Sequence, residues 1–413
     1  MKNNILDHLN DPRQLEKIYR ADKVNFRKEF MMLYPELQST PIVDFWHERL
    51  AYENDEINWG SKRDWLLLVI TTLVAGITAK LPVILSIDEE FFFPRNIGFI
   101  LFPALSAYFI YKNKLPKRKI AFVVGSGLIA LVFINSLPNN GHSDTLILAC
   151  FHLLLFLWFI LGFAFVGTLH SDSVSRLKFL KYSGDLVVIT GLFAIAGGLL
   201  TGITVGLFSL VGLDIEEFYF NYVVVFGLPA APILGTFLIH NNPQLIGKIT
   251  PTIAKIFSPL VMVMLVAYLA AIVYSDKDPY NDREFLLFFN ALLVGVMAII
   301  FYSVAEISST KSRLEIWVLF LLSLLTIAVN AIALSAILFR ITEWGITPNR
   351  TAVLGGNLLI LIHLLIVSLH LYKVLFSQED LPEVGKSIAA YLPAYLIWAI
   401  IVTFLFPFLF DFG

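Results

Sequence analysis

Apolar runs of about 20 residues recur about eleven times along this chain, and no other feature restricts its fold as much. Lipid offers no hydrogen-bond partner for backbone amides, so a spanning segment must be a helix or part of a closed barrel. Barrel strands would alternate polar and apolar residues over about ten positions. These runs are longer and apolar all round, so we predict an all-α, polytopic membrane protein.

The predicted transmembrane helices, about eleven of them, follow a more polar amino-terminal segment. Only 15% of the residues are charged, against about 25% in an average soluble domain. We place the spans near residues 65–86, 97–111, 120–137, 145–169, 186–213, 218–240, 257–274, 284–306, 314–339, 349–374 and 388–410. Residues 65–413 are thus predicted to be a transmembrane helical domain.

Residues 1–64 are predicted to be a short cytoplasmic helical segment. Asp11-Pro12 and Thr40-Pro41 are typical helix starts, and Asp22 is a further candidate cap. Apolar residues follow at helical spacing: Phe26, Phe30, Leu33 and Tyr34, then Ile42, Phe45, Trp46 and Leu50. Such amphipathic helices pack together, lie on the membrane, or bind a cytoplasmic protein partner, and the sequence leaves all three open.

The distribution of basic residues predicts the orientation in the membrane. Lys62 and Arg63, together with the even-numbered connections and the span ends beside them, hold sixteen lysines and arginines, against five in the odd-numbered connections counted in the same way. Because basic residues are enriched on the cytoplasmic side, we expect a cytoplasmic amino terminus and an external carboxy terminus. No cleavable signal peptide is visible in the polar first 64 residues.

This orientation makes the predicted outer face acidic. Its carboxylates are Asp88, Glu89, Glu90, Asp144, Asp214, Glu216, Glu217, Asp276, Asp278, Asp282, Glu284, Glu343 and Asp411. They either solvate the loops or form a negative funnel that concentrates cations. The formal net charge of −2 gives no reason to expect a nucleic-acid partner.

Two predicted spans have unusual backbone chemistry. In span five, small residues recur every four positions at Ala194, Gly198, Gly202 and Gly206, which favours close helix packing. In span six, Pro229 and Pro232 remove two amide donors. We expect a kink there; the alternative is a broken helix that exposes backbone groups to a substrate.

Sequence signatures of catalysis and metal binding are absent. The chain has no phosphate-binding loop, no His-Glu-x-x-His and no Gly-x-Ser-x-Gly elbow. No pair of cysteines or histidines has metal-ligand spacing. We therefore predict no metal and no cofactor, and we do not favour an enzyme.

Polar residues inside the spans remain as candidates, because burial of such groups in lipid is costly. His152 and His363 are expected to be neutral and hydrogen-bonded, or to relay protons. Asn330 and Asn357 are expected to join helices, or to contact a ligand. Lys80 is expected to extend outward to Glu89 or Glu90.

The segment from Arg340 to Arg350 is the most polar short connection between two spans. Thr347-Pro348 starts a helix, and Trp344 suits the membrane interface. Arg340 and Glu343 are three apart, which permits a helical ion pair. The segment is either a rigid ion-paired hairpin, or a clamp in which Arg340 and Arg350 bind an anionic group by bidentate contacts.

This segment resembles a known family of bacterial inner-membrane proteins. The residues Arg340-Ile-Thr-Glu-Trp-Gly-Ile-Thr-Pro-Asn-Arg350 are similar to its pattern Arg-x-x-x-Tyr-Gly-Leu-Thr-Pro-Asn-Arg. That family is catalogued only as a domain of unknown function, number four-one-five-three. Residues 15–20 and 45–50 also resemble members that carry a cytoplasmic extension. The resemblance implies a bacterial inner membrane and carries no activity.

Three functions from different classes are compatible with the sequence. The first is a transporter-like protein with an acidic outer face. The second is a membrane scaffold or signalling component that docks a partner through residues 1–64. The third, and weakest, is an enzyme that acts on lipid-linked substrates at the outer face.

Overall fold

The computed structural model describes residues 2–9, 11–21, 23–37, 40–51, 59–141, 143–167, 172–210, 214–243, 246, 258–259, 261–263, 265–266, 283–305, 313–377 and 380–413. These residues form helices and turns, and none of them lies in a strand. The chain divides into two compact units, Met1–Asn58 and Trp59–Gly413. We describe each unit by itself.

The amino-terminal unit is a small helical domain. Its helices are α1 (Lys2–Asp7), α2 (Pro12–Ala21), α3 (Lys23–Leu33) and α4 (Pro41–Ala51), with a 3₁₀ turn at Tyr34–Glu36. Asp11 caps α2, because its Oδ1 accepts the amides of Arg13 at 3.0 Å and Gln14 at 3.2 Å. The predicted cap Asp22 lies outside the described residues.

The four short helices bury their apolar faces against one another. The core of this unit consists of Ile5, Leu15, Phe26, Phe30, Leu33, Val43, Trp46 and Leu50. Phe45 was predicted on the buried stripe of α4, yet it is 59% exposed. Val43, Trp46 and Leu50 share one face at helical spacing. Phe45 directly precedes Trp46, so its side chain points about 100° away from that of Trp46.

The second unit is a bundle of long helices. They are α5 (Lys62–Leu85), α6 (Glu89–Lys112), α7 (Lys117–Ser136), α8 (Asp144–Val166), α9 (Ser173–Leu210), α10 (Glu216–Asn241), α11 (Arg283–Ala305), α12 (Arg313–Trp344), α13 (Pro348–Phe376) and α14 (Leu381–Leu409). Each predicted span except 257–274 falls on one of these helices. Only seven residues of span 257–274 are described, and those are helical.

Within the described residues, nine helices are long and apolar enough to cross a membrane, and α11 adds a shorter apolar stretch, Asn290–Ala305. The prediction of an all-α, polytopic membrane protein is confirmed. The starts of several helices differ from the prediction. The largest difference is in α9, which begins at Ser173 rather than near residue 186.

Carboxylate and hydroxyl side chains cap the N-termini of several of these helices. Ser61 and Asp64 form a capping box at the start of α5. Asp88 Oδ1 accepts the amides of Glu90 at 2.7 Å and Phe91 at 3.4 Å at the start of α6. Part of the acidity predicted for the outer face thus has a local role, since a carboxylate at a helix N-terminus complements free amides and the helix dipole.

Helix α10 runs without interruption through both of its prolines. Pro229 and Pro232 are buried, and a wide π-helical stretch at Tyr219–Val224 precedes them. The broken span six considered from the sequence is therefore absent from residues 216–241. Transmembrane helices tolerate proline where neighbouring helices and local π turns compensate for the lost hydrogen bonds.

The close helix packing predicted at the small residues of span five is not seen in the described part of the chain. A Cβ atom on Gly198 or Gly202 would meet no atom within 4 Å. Close glycine packing occurs elsewhere in the bundle, where aromatic rings lie directly on helical glycines. A Cβ on Gly76 would overlap the ring of Phe226, and a Cβ on Gly355 would overlap that of Trp398.

Polar contacts also join helices through partners that the sequence analysis did not predict. The amides of Asn96 in α6 and Asn135 in α7 exchange two hydrogen bonds, of 2.9 and 2.8 Å. The ammonium of Lys80 lies 4.3 Å from the ring centroid of Tyr222, rather than against the expected Glu89 or Glu90. Both contacts lie within predicted membrane-spanning helices, where a satisfied polar group stabilises helix association.

Candidate functional site

A buried carboxylate in α9, Asp185, is the centre of the site. Asp185 is 4% exposed and lies about 18 Å along the helix axis from Ser173, well inside the spanning helix. Tyr302 of α11 donates a hydrogen bond of 2.8 Å from its hydroxyl to Asp185 Oδ1. The ammonium of Lys181, one turn earlier, is 3.8 Å from Asp185 Oδ2. The carboxylate thus has a hydrogen-bond donor on one oxygen and a cation near the other.

Gly184 allows Tyr302 to reach this carboxylate. A Cβ atom on Gly184 would overlap the ring of Tyr302, so the ring passes directly over the α9 backbone. Any larger residue at position 184 must displace the ring. The contact between Tyr302 and Asp185 therefore depends on glycine at position 184, which has no side chain to block the ring.

Asp185 also lines a charged pocket of about 290 Å³. Its polar wall consists of Lys178, Lys181, Tyr182, Asp185, Thr236 and His240. Two ammonium groups and one carboxylate face this space, so it can hold a small anion or a proton-exchanging group. Below, we refer to it as the charged pocket.

Hydrogen bonds fix the wall of the charged pocket between α9 and α10. The hydroxyls of Tyr182 and Thr236 are 2.8 Å apart, and Thr236 also donates to the carbonyl of Pro232 at 2.9 Å. Both residues are buried. Two buried hydroxyls that satisfy each other give the pocket a rigid side.

The charged pocket lies towards the end of the bundle at which α6 ends and α5 begins. There, Lys112 pairs with Asp64 at 2.6 Å. His240, in the last turn of α10, has its ring 5.9 Å from that of Tyr108, which in turn lies 5.9 Å from the Lys112 ammonium. The basic residues of this end are the ones that predict a cytoplasmic position.

A second, larger space of about 740 Å³ lies on the opposite face of α9. We name it the central cavity. Five helices form most of its wall, and the wall includes Trp158, Val188, Met297, Tyr302, Ile360 and Tyr395. Tyr302 contributes its ring to the central cavity and its hydroxyl to Asp185, so a single side chain joins the two spaces.

The central cavity opens on the surface of the bundle. Leu155, Val187 and Val294 line it and are 45%, 72% and 53% exposed. Leu155 and Val294 are the middle residues of α8 and α11. The opening therefore faces the hydrocarbon of the bilayer rather than either aqueous side.

The four polar candidates from the sequence do not form one cluster. Asn330 donates to the carbonyl of Asn357 at 3.2 Å, and both side chains are buried, so they join α12 to α13. His152 lines the central cavity and contacts the carbonyl of Leu148 through Nδ1 at 2.9 Å. The asparagine contact joins two helices, although Asn330 Oδ1 and Asn357 Nδ2 have no hydrogen-bond partner among the described residues. His152 forms part of the cavity wall.

His363 is completely buried beside the central cavity. Its Nδ1 is 3.1 Å from the hydroxyl of Tyr395, which donates to the sulfur of Met297 at 3.4 Å. Its Nε2 has no hydrogen-bond partner within the described part of the chain. The rings of Phe301 and Tyr391 lie 4.4 and 4.5 Å from it. A neutral imidazole suits this apolar aromatic surrounding.

The Arg340–Arg350 hairpin is closed by its own backbone. Arg350 Nη1 donates to the carbonyls of Trp344 at 2.8 Å and Gly345 at 2.7 Å, which caps the end of α12. The buried Arg340 and the half-buried Arg350 lie 5.8 and 5.6 Å from the Trp344 ring. Glu343 is exposed. One amino group of Arg350 is thus already engaged, which favours the rigid-hairpin interpretation over an open clamp.

Sequence reasoning missed Asp185 because it assigned this residue to a polar connection. The structure starts α9 between three and four turns earlier, and Asp172 caps this extension by accepting the amide of Ser175 at 3.0 Å. Hydrogen bonds from the hydroxyl and from the amide of Ser175 hold the pKa of Asp172 below its ordinary value. The i, i+4 spacing of Lys181 and Asp185 was a visible helical signal that predicts their proximity.

The fold and the site together define a polytopic α-helical membrane protein with an ionisable group inside its bundle. A scan against protein-family models found no match, and neither the search of curated proteins nor that of solved structures found one.

Proposed function

We propose that this protein is a transporter, and that Asp185 is the group that takes up and releases a proton or a cation. The observation that carries the proposal is the position of Asp185, buried in a spanning helix between the charged pocket and the central cavity. Ionisable groups inside membrane helices are costly and commonly mark ion or substrate pathways.

The neighbours of Asp185 support a role in exchange rather than in packing alone. Tyr302 donates a close hydrogen bond to Asp185, whereas the Lys181 ammonium is 3.8 Å away and its side chain is 37% exposed. The partner on the Lys181 side is thus the one that a bound ion or proton can replace. A carrier needs a group whose partners differ between its two states.

The test uses thiol accessibility in the full-length protein. Cys150 is the only cysteine, so a Cys150→Ala background is free of thiols. We would place a single cysteine at Ile239, in the wall of the charged pocket. In sealed vesicles, a membrane-impermeant thiol reagent should react with it from one side only. Asp185→Asn, which mimics the protonated carboxylate, should change that rate about tenfold, because it shifts the balance between two states.

Two control positions make the result interpretable. Gly141→Cys, in an exposed loop, should react at the same rate with either residue at position 185. Val132→Cys, which is 68% exposed on α7 and faces lipid, should not react. An Ile239→Cys rate that is equal with and without the Asp185→Asn substitution would contradict the proposal.

A scaffold or signalling role through the amino-terminal unit is the second candidate, and one observation favours it. Phe45 is 59% exposed on α4, although its neighbour Trp46 belongs to the core. A photoreactive amino acid at Phe45 in living cells should give one discrete protein adduct if this surface docks a partner. The same photoreactive amino acid at the exposed Arg13 is the matched control.

We also propose the bacterial inner membrane as the location, with the amino terminus cytoplasmic, and membership of the family that the hairpin resembles. The location and orientation rest on the distribution of basic residues and on that resemblance. An enzymatic role gains no support from the hairpin, because its Arg350 is engaged with backbone carbonyls.

A further inference from the structure

We propose that the central cavity binds one fatty-acyl chain of a bilayer phospholipid, which enters sideways between the helices. This inference does not rest on the transport role of Asp185, because its evidence comes from the opposite face of α9. It begins from the position of the opening. Leu155 and Val294 form part of the rim at the middle of their helices, at the depth where only lipid chains surround the protein.

The size of the central cavity suits a chain of this kind. Its volume of about 740 Å³ falls within the range of about 300–1,000 Å³ typical of ligand pockets. Along α9 the wall runs from Leu180 to Val188, which corresponds to about 12 Å of helix. The central cavity thus extends along a helix that crosses the membrane, which is the direction in which lipid chains lie.

The chemistry of the wall makes water a poor occupant. A buried water needs two to four polar partners. Trp158 donates to Ser183 at 3.1 Å, and Ser183 donates to the carbonyl of Phe179 at 2.9 Å. Trp398 Nε1 has no hydrogen-bond partner in the described part of the chain, and this one donor falls short of what a water needs. Tyr302 directs its hydroxyl to Asp185, away from the central cavity. An apolar chain needs no such partners.

An unfilled space of this size would also be unfavourable. Wall atoms that face a void lose their dispersion contacts on that side. Lipid chains are as apolar as leucine, so they can restore these contacts without a desolvation cost. The surrounding bilayer is the nearest source of such a chain.

The experiment is photo-crosslinking from the lipid itself. The full-length protein would be placed in nanodiscs of phosphatidylcholine that carries a diazirine in the middle of one acyl chain. After irradiation, adducts would be located by mass spectrometry. Adducts are expected on Ile360 and Leu392, which line the central cavity but are only 5% and 6% exposed, so lipid on the outer surface cannot reach them.

Filling the central cavity should remove these adducts. Gly356 lines it, and a Cβ there would meet no atom within 4 Å, so a leucine side chain at this position starts in open space. We expect Gly356→Leu to reduce adducts on Ile360 and Leu392 at least about fivefold, relative to adducts on α7. Gly127→Leu on α7 is the matched control, because its Cβ also meets nothing and it lies outside the central cavity.

Several results would overturn the inference. One is an absence of adducts on Ile360 and Leu392 while the surface of α7 is labelled. Another is equal labelling of the two residues in the wild type and in Gly356→Leu. If Gly356→Leu does not fold, Ala298→Phe, on the α11 wall, replaces it with the same expectation. Loss of Asp185-dependent thiol labelling would leave the crosslinks in place, so the two proposals fail separately.

Discussion

At the scale of the residue, Gly184 and Tyr302 show how a missing side chain creates a functional contact. The ring of Tyr302 occupies the space that a Cβ on Gly184 would need, and its hydroxyl is thereby held against Asp185. No sequence pattern selects Gly184, because helical glycines are common in membranes and their roles depend on the opposing helix. The glycines that the sequence analysis did select, Gly198 and Gly202, have no described neighbour.

Gly184→Ala should therefore destabilise the protein. The added methyl group forces the Tyr302 ring to shift, and overpacking of this kind costs about 1–3 kcal/mol. Thermal unfolding in detergent is the measurement. Gly191→Ala is the matched control on the same helix, where a Cβ meets nothing and alanine should be neutral or stabilising by about 0.5–1 kcal/mol. Equal melting temperatures for the two variants would contradict the close packing at Gly184.

At the scale of the element, helix pairs are joined by polar contacts whose partners the sequence does not reveal. Asn330 and Asn357 were predicted to join helices, and they do contact each other across α12 and α13. Asn330 donates to the backbone of Asn357, whereas Asn96 and Asn135 exchange two side-chain hydrogen bonds across α6 and α7, and this pair was not predicted. An asparagine in a span indicates a polar contact, but its rotation about the helix axis decides which helix it meets.

The Asn96–Asn135 pair predicts a measurable coupling. In a double-mutant cycle with alanine at each position, the coupling energy should lie between about 0.6 and about 1.7 kcal/mol, which are the average and the largest values for side-chain contacts between transmembrane helices, because this pair exchanges two hydrogen bonds. Unfolding of the four proteins in detergent gives this value. Asn96→Ala combined with Ser136→Ala is the control cycle, because Ser136 donates to its own helix at Phe133 and should show no coupling.

Helices α2 and α4 of the amino-terminal unit predict a pH dependence. A hydrogen bond from Arg20, together with charge and a hydrogen bond from Arg49 of α4, lowers the pKa of Glu16 below its ordinary value, against the opposing effect of burial. A lowered folded-state pKa adds stability above the unfolded value of about 4.3, and this stability is lost as pH falls through the folded-state pKa.

Hydrogen exchange of α2 and α4 in the full-length protein measures this effect. After correction for intrinsic exchange rates, protection should fall as the pH is lowered from about 6 to about 3, and Glu16→Gln should make the fall smaller. Asp7→Asn, at the exposed end of α1, is the comparison variant and should keep the full fall. Identical pH profiles for the wild type and for Glu16→Gln would exclude this carboxylate as the cause.

At the scale of the whole molecule, hydropathy was sufficient to predict the helical membrane fold, and insufficient to predict where its ionisable groups lie. Long apolar runs place helices because the bilayer imposes their length and leaves no alternative backbone structure. They do not mark the point at which a helix enters the membrane. Asp185 was missed for this reason, since the prediction ended the polar connection at residue 186 while α9 had begun at Ser173.

The orientation of the whole molecule is open to a direct test. The basic residues predict that the end with Lys112 is cytoplasmic and that the carboxy terminus is external. A periplasmic phosphatase fused after Gly413 should be active in bacteria, and a fluorescent protein that matures only in the cytoplasm should be dark there. The opposite pair of results would reverse the orientation and place the charged pocket towards the outside.

The ring of Tyr302 lines the central cavity, and its hydroxyl donates to Asp185. Binding in the central cavity and binding at Asp185 are therefore energetically coupled wherever one of them moves this side chain. An occupant that displaces the ring breaks the hydrogen bond to the carboxylate. By thermodynamic linkage, an occupant that changes this hydrogen bond and a ligand that binds at Asp185 must alter each other's affinity by the same factor. A lipid chain on one face of α9 would then act as an effector of a site on the other face.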